Sequence, residues 1–173
     1  EPGVVYCSFV TPDSPYEIEG VYRSDNWGDS WTSLSIGQLD GALGGFGWFF
    51  GKIVVSPIDA DEVSVFGVDL HTSQNAGSSW FRSTPEWWQY IVHADKHDMV
   101  YTSEGDLWLA TDGGLYRGDS EFNNWEYSSF LPISQFYRIT TSPHTPGEYA
   151  GGMQDNGTSA GSYENPAGWP RIY

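Results

Sequence analysis

The segment His93-Ala94-Asp95-Lys96-His97 has the most suggestive spacing of chemically active residues in the chain. In an extended strand, residues i, i+2 and i+4 share one face, so His93, Asp95 and His97 are expected to project together. Two imidazoles and a carboxylate on one side suit a divalent cation, calcium or zinc, whose binding would weaken below about pH 6. The same groups could instead form a hydrogen-bonded polar plug or perform acid–base catalysis, and the pattern leaves these alternatives open.

Four aspartates near the ends of short β-rich runs are candidates for catalysis: Asp69, Asp95, Asp112 and Asp155. A glycoside hydrolase needs two carboxylates flanking the scissile bond, on the order of 5 to 9.5 Å apart. No spacing in the sequence identifies such a pair. Whether the chain is an enzyme therefore stays open at this point.

Aromatic residues crowd the segments that connect the strand candidates. Sugar rings stack on exposed aromatic faces beside acidic and amide groups, so Trp48, Trp88, Gln154 and Asn156 are the ligand-binding candidates. Packing between sheets uses the same residue types, and neighbours such as Trp87 and Trp88 should point to opposite sides of a strand. Both interpretations apply to the connector aromatics, which are Phe46, Trp48, Phe49, Phe50, Trp87, Trp88, Tyr90, Phe130 and Phe136.

The composition excludes several classes of partner. The 173 residues carry a formal net charge of −16, which would be repelled by nucleic acid and by anionic membranes. No apolar stretch approaches the length of a transmembrane helix, so membrane insertion is not expected. The opening Glu1-Pro2-Gly3 is typical of a processed or truncated product. Cys7 is the single cysteine, and we expect it to be a small buried residue.

The elements that must position these groups repeat along the chain. Ser24–Trp31 has the pattern S-x-N-x-G-x-S-W, which returns 49 residues later as Ser73–Trp80. An eroded third copy, Gly118–Trp125, ends 45 residues further on with the same tryptophan. Self-similarity at this period in a strand-rich chain predicts a β-propeller.

Each repeat is predicted to be a blade of four antiparallel strands, A to D, with the repeated box between strands C and D. The predicted blades cover residues 4–33, 50–83, 93–128 and, incompletely, 135–173. This gives an all-β fold with about three and a half blades, in which residues 1–173 are part of one propeller domain. Propellers close with roughly four to eight blades, so further blades of the same parent protein are expected partners.

The repeated phrase resembles the Asp-box, or BNR repeat, S-x-D-x-G-x-[ST]-W, with Asn26 and Asn75 at the usual Asp position. The resemblance implies a β-propeller like those of sialidases, xyloglucan-degrading endoglucanases, sortilin-type receptors and large secreted bacterial proteins. It further implies a secreted or cell-surface location, most often bacterial. Four other stretches look like the secreted bacterial propellers, and with the boxes they cover most of residues 20–160: His93–His97, Thr111–Arg117, Ile133–Tyr137 and Gly152–Thr158.

The boxes themselves are predicted to be structural. A short polar side chain at the third position can bond backbone amides of its own turn, and glycine at the fifth permits a positive φ. The final tryptophan should fill the space between sheets, so we expect Trp31, Trp80 and Trp125 at equivalent buried positions. The structural box residues are Ser24, Asn26, Gly28, Trp31, Ser73, Asn75, Gly77 and Trp80.

Function is expected on the face opposite the boxes. Strand direction alternates, so the B–C turns and the D-to-A connectors lie on that face, where the resembling families hold their active site or ligand funnel. We predict a module that binds a glycan or an extracellular protein there. Its chemical groups should converge around the propeller axis, namely Asp69, Asp112, Asp155 and the set His93, Asp95 and His97.

Two alternatives to a binding module are retained. The first is a glycoside hydrolase that uses paired carboxylates on the same face, and the lesser one is a sortilin-like peptide binder. Sialidases bind the substrate carboxylate with three arginines. Sialidase activity is the weaker expectation here because two of the five arginines lead into boxes; the five are Arg23, Arg82, Arg117, Arg138 and Arg171.

Overall fold

The computed structural model describes residues 2–129, 131, 133–165 and 171–172, and these form strands joined by turns. The chain divides into two compact units, Glu1–Ser128 and Ser129–Tyr173. Short 3-10 turns are present at Gly37–Leu39 and Trp87–Gln89. The strands are β1 (Val5–Val10), β2 (Ile18–Ser24), β3 (Thr32–Ser33), β4 (Lys52–Val55), β5 (Val63–Phe66), β6 (Leu70–Ser73), β7 (Phe81–Arg82), β8 (Lys96–Tyr101), β9 (Leu107–Thr111), β10 (Gly114–Gly118), β11 (Trp125–Tyr127), β12 (Phe136–Thr141), β13 (Glu148–Met153), β14 (Gly157–Ser162) and β15 (Arg171–Ile172).

The first unit contains three antiparallel sheets with their strands in chain order. They are β1-β2-β3, β4-β5-β6-β7 and β8-β9-β10-β11. The first box follows β2, so the three strands of the first sheet correspond to the predicted strands B, C and D. The second unit is one antiparallel sheet, β12-β13-β14-β15. These sheets confirm the predicted all-β class. The incomplete sheet is the first one, with three strands, and not the last one as predicted, since β12-β13-β14-β15 has four.

Two apolar cores fill the first unit, and β5 contributes to both. Val63 and Val65 join the core that also holds Val21 and Trp80. Phe66 packs with residues of the third sheet in the second core. All four residues of β5 are buried because alternate side chains point to opposite faces and each face meets another sheet.

The two complete boxes form nearly identical turns. In the second, the Asn75 Oδ1 atom accepts the Ser79 N–H and the Ser73 hydroxyl, both at 2.9 Å. Ser73 Oγ accepts the Gly77 N–H at 2.8 Å, and Gly77 has a φ of +79°. The first box repeats these bonds around Asn26 at matching distances. Each asparagine therefore accepts a hydrogen bond from a backbone N–H of its own turn, as predicted.

The predicted burial of the three box tryptophans holds for Trp80 but is wrong for Trp31. Trp80 is 3% exposed, and its Nε1–H donates to Ser35 O at 2.7 Å. Trp125 is half-buried and donates in the same way to Ser83 O at 3.1 Å. Both acceptors lie just after the last strand of the preceding sheet. The described residues provide no such sheet before β1, and Trp31 is 44% exposed.

Candidate functional site

The β5–β6 turn, the β9–β10 turn and the segment before β8 meet at one end of the first unit. The Asp95 N–H donates to Val68 O at 3.2 Å, and the Asp112 N–H donates to Asp95 O at 3.2 Å. The boxes follow β2 and β6 at the opposite ends of these strands. Asp69, Asp95 and Asp112 therefore lie together at the end away from the boxes, in agreement with the prediction for these three.

The extended geometry predicted for the segment His93–His97 is wrong. Strand β8 begins only at Lys96, and Asp95 has a left-handed backbone with a φ of +59°. A left-handed residue breaks the alternation of side chains, so His93, Asp95 and His97 do not share one strand face. Among the described residues, their ligating atoms form no group within metal-binding distance. The geometric basis for a calcium or zinc site at these three residues is lost.

His97 pairs with Asp112 instead. A bulge in the β8–β9 register leaves His97 outside the ladder, and its Nε2 lies 2.5 Å from Asp112 Oδ1. The imidazole also packs against two aromatic rings, with centroid distances of 5.7 Å to Phe49 and 5.4 Å to Phe50. A carboxylate on one ring nitrogen fixes the orientation of the imidazole. The pair thus offers a fixed polar edge beside an aromatic surface.

The connector between β3 and β4 carries exposed aromatic rings beside this pair. Trp48 is 68% exposed and Phe49 is 61% exposed, and their ring centroids lie 5.7 Å apart. The connector is held by Glu17, whose carboxylate accepts the Leu43 N–H at 3.0 Å and the Gly45 N–H at 2.6 Å. These two rings, which we call the first platform, are a surface feature and not part of the core.

Asp112 also lies close to a second carboxylate. Oxygen atoms of Asp95 and Asp112 lie within 4.8 Å of one another. The turn that presents Asp112 depends on Gly113, where an added Cβ would come within 2.5 Å of the His93 Cβ. The Gly113 N–H also donates to Thr111 Oγ1 at 3.1 Å. A residue with a side chain does not fit here without displacing His93.

Asp69, a predicted catalytic candidate, is enclosed in an ion network. Its Oδ2 lies 2.9 Å from Arg82 Nη2, and its Oδ1 lies 3.8 Å from Lys96 Nζ. Lys96 is 1% exposed, and its ammonium donates to Val68 O at 2.6 Å. Burial lowers the pKa of Lys96 to about 8, and the attraction of Asp69 opposes that shift. A carboxylate that is buried between two cations is not presented to a substrate, so the catalytic prediction for Asp69 is not supported.

His71 lies next to this network on β6. It is buried, and its Nδ1 has no hydrogen-bond partner among the described residues. Burial lowers the pKa of His71 to about 4; the negative charge of Asp69 opposes this shift, and the positive charge of Arg82 adds to it. The imidazole is therefore neutral at physiological pH.

The connector after β7 carries a second exposed aromatic set. Trp87 and Trp88 are 52% and 54% exposed, and their rings meet edge to face at 5.8 Å. They belong to a 3-10 turn, so the prediction that they point to opposite sides of a strand is wrong. Glu86 directly precedes them and forms an ion pair with Arg82. We call Trp87 and Trp88 the second platform.

The remaining ligand candidates lie in the second unit. Gln154, Asp155 and Asn156 form the turn between β13 and β14, and the Asn156 Nδ2–H donates to Gln154 O at 2.8 Å. Asp155 is exposed with a φ of +52°. Convergence of Asp155 with the aspartates of the first unit stays a prediction. Phe130 lies outside the described residues.

The arginines of the first unit are each engaged in an ion pair, which weakens the case for a free arginine triad. The pairs are Arg23 with Asp25 and Asp61, Arg82 with Asp69 and Glu86, and Arg117 with Asp106.

Sequence reasoning missed two residues of this region. Phe49 was considered only as one of many connector aromatics, although it is the ring that contacts His97. Lys96 was not predicted, and its neighbours Asp95 and His97 give no local sign that its side chain is buried.

Comparison with known proteins identifies the fold. No family model matches the chain, and no curated protein matches it. Among solved structures, it is similar to a GH74 xyloglucanase from Xanthomonas campestris, with 15% identity and a TM-score of 0.50 over 98% of this chain and 28% of that one. PorZ, a surface component of the type-IX secretion system of Porphyromonas gingivalis, matches with 18% identity and a TM-score of 0.50 over 100% of this chain and 26% of that one.

A GH74 enzyme of Niastella koreensis gives 12% identity and a TM-score of 0.50 over 95% of this chain and 28% of its own. The chain thus spans about a quarter of the length of these three structures. At these identities the likeness establishes a β-propeller fold, of which this chain forms a part. Within the described part of the chain, no helix is long and apolar enough to cross a membrane.

Proposed function

We propose that this chain is part of a secreted or cell-surface bacterial propeller of the Asp-box type, and that its face opposite the boxes binds a glycan. The observation that carries this proposal is the first platform, Trp48 and Phe49, exposed beside the hydrogen-bonded pair of His97 and Asp112. The matching hydrogen bonds of the two boxes support the Asp-box assignment.

The chemistry of the platform favours an uncharged sugar. An aromatic face takes the apolar C–H side of a pyranose ring, while a carboxylate and an imidazole bind hydroxyl groups at its edge. Asp95 adds a second carboxylate beside Asp112. With a net charge of −16, the chain repels uronic acids and sulfated sugars. An extracellular protein is the other partner that this surface suits, and the parent protein is expected to supply further blades.

Calorimetric titration of the full chain with two soluble polysaccharides tests the proposal. Xyloglucan serves as the uncharged probe and polygalacturonate as the anionic one. Trp48→Ala should weaken xyloglucan binding by about tenfold, since one aromatic contact contributes roughly 1 to 1.5 kcal/mol. Trp27→Ala is the matched control, because Trp27 is 75% exposed but belongs to a box turn. Binding that is equal in both variants, or binding of polygalacturonate alone, would contradict the proposed site.

A second candidate function is glycoside hydrolysis, favoured by the proximity of Asp95 and Asp112. Their nearest carboxylate oxygens lie within 4.8 Å, which is nearer to the separation of about 5 to 5.5 Å in retaining enzymes than to the wider one in inverting enzymes. Two carboxylates can divide the roles of general acid and of base or nucleophile. Reducing-end assays on xyloglucan should then show turnover that Asp112→Asn abolishes, a far larger effect than the loss of affinity measured for the same variant. Binding by the wild-type chain without any release of reducing ends would leave the glycan-binding module as the function.

A further inference from the structure

We propose that Asp69 is a positioning residue that fixes the second platform, Trp87 and Trp88, relative to the first, so that one extended, uncharged glycan chain contacts both. This inference rests on the glycan-binding function proposed above. It changes the expected ligand from a single sugar to a polysaccharide segment.

Asp69 is joined to the connector of the first platform through the backbone. Its N–H donates to Ala42 O at 3.0 Å, and its carbonyl accepts the Gly67 N–H at 3.0 Å. Ala42 and Leu43 are fully buried in the first core, so this hydrogen bond ends on a rigid part of the connector. The turn that holds Asp69 and the connector that carries Trp48 therefore move together.

Asp69 is joined to the second platform through side chains. Arg82 places Nη2 at 2.9 Å from the Asp69 carboxylate, and its Nη1 pairs with the Glu86 carboxylate. Glu86 is the residue before Trp87. The guanidinium thus bridges the two acids, a geometry that its planar fork of N–H groups favours.

The second platform has few other anchors. None of the residues in its 3-10 turn is buried, and no side-chain hydrogen bond caps the turn. The nearest buried residues are Thr84 before the turn and Val92 after it. Between these points, the described side-chain link to the body of the unit is the Glu86–Arg82 pair. The position of the tryptophan pair consequently depends on where Asp69 holds Arg82.

The buried end of the network explains why Asp69 holds Arg82 firmly. Asp69 is 7% exposed and also faces the ammonium of Lys96, which is 1% exposed. A buried carboxylate that loses one of its cations is left with uncompensated charge, so the pairs are retained. Two platforms held at a fixed separation bind one chain with an affinity that neither reaches alone.

The experiment compares the full chain with two conservative variants and one control. Asp69→Asn removes the buried charge, and Glu86→Gln removes only the exposed link, which keeps the test valid if the first variant fails to fold. Asp106→Asn is the control, since Asp106 forms another Asp–Arg pair, at 2.6 Å from Arg117. Each protein is titrated with xyloglucan polymer and with a xyloglucan oligosaccharide of one repeat. Fluorine NMR of fluorotryptophan-labelled protein reports the environments of Trp87 and Trp88.

We expect Glu86→Gln and Asp69→Asn to weaken polymer binding by roughly tenfold, the loss of one aromatic contact, with oligosaccharide binding unchanged. The fluorine resonances of Trp87 and Trp88 should shift in both variants and stay in place in Asp106→Asn. Equal losses for polymer and oligosaccharide, or resonances that do not move, overturn the inference while the proposed function stands. Failure of the wild-type chain to bind either probe refutes the proposed function and this inference with it.

Discussion

Replacing Asn75 by alanine gives a test of the box turns whose magnitude follows from named contacts. The side chain accepts the Ser79 N–H and the Ser73 hydroxyl and donates to Ser79 Oγ at 2.8 Å. Ser79 is exposed, so water replaces its two bonds at small cost. Ser73 is completely buried, so its hydroxyl loses an acceptor that water does not replace. An unsatisfied buried donor costs about 1 to 3 kcal/mol, and we expect about 2 kcal/mol for Asn75→Ala.

Urea unfolding followed by near-ultraviolet circular dichroism measures this loss, because the tryptophans dominate the signal. In a thermal melt the same loss corresponds to a decrease in Tm of roughly 4 to 8 °C for a chain of this size. Asn75→Asp, which restores the residue usual in the Asp-box, should recover stability to within about 0.5 kcal/mol because a carboxylate accepts both bonds. Gln74→Ala is the control at the neighbouring exposed position. An unchanged urea midpoint for Asn75→Ala, or lost glycan affinity at full stability, would refute the structural role.

Two further predictions concern stability. Trp80→Phe should cost about 1 to 3 kcal/mol, since the buried indole is replaced by a smaller ring and its bond to Ser35 O is lost, whereas Trp31→Phe should stay within about 0.5 kcal/mol because Trp31 is 44% exposed. Equal urea midpoints for the two variants would contradict this. The lowered pKa of His71, about 4 against 6.5, means that the unfolded chain takes up a proton before the folded chain does. Stability should therefore fall by about 3 kcal/mol between pH 6.5 and pH 4, and His71→Gln should lack that step in melts across this range.

The fold could be predicted from the sequence because the box occurs in two nearly complete copies at blade spacing. Asn26 and Asn75 recur with the same neighbours at blade spacing, and a turn that satisfies its own polar groups needs no distant residue. Burial of Trp31 was not accessible, because it depends on the neighbouring sheet and not on the box.

The site was only partly accessible, since backbone conformation decided its geometry. The alternation assumed for His93, Asp95 and His97 failed at one left-handed residue, Asp95, whose φ no local pattern indicated. The pairing of His97 with Asp112 joins two strands and depends on a bulge in their register. Asp69 and Asp112 occupy equivalent turns, yet only Asp69 is enclosed by cations. These cations, Arg82 and Lys96, come from other parts of the sequence. Contacts of this kind depend on how the strands pack together, which a local sequence pattern does not show.

The links between box tryptophans and the preceding sheets have a consequence for how the chain is made. In both links of the first unit the donor comes later in the chain than the acceptor: Trp80 binds Ser35 O, and Trp125 binds Ser83 O. During synthesis, each new sheet can therefore dock at once on a sheet that has already left the ribosome. The contacts needed at each step are separated by about one repeat, which keeps loop closure inexpensive. Assembly of the first unit is thus expected to proceed vectorially, one blade at a time from the amino terminus.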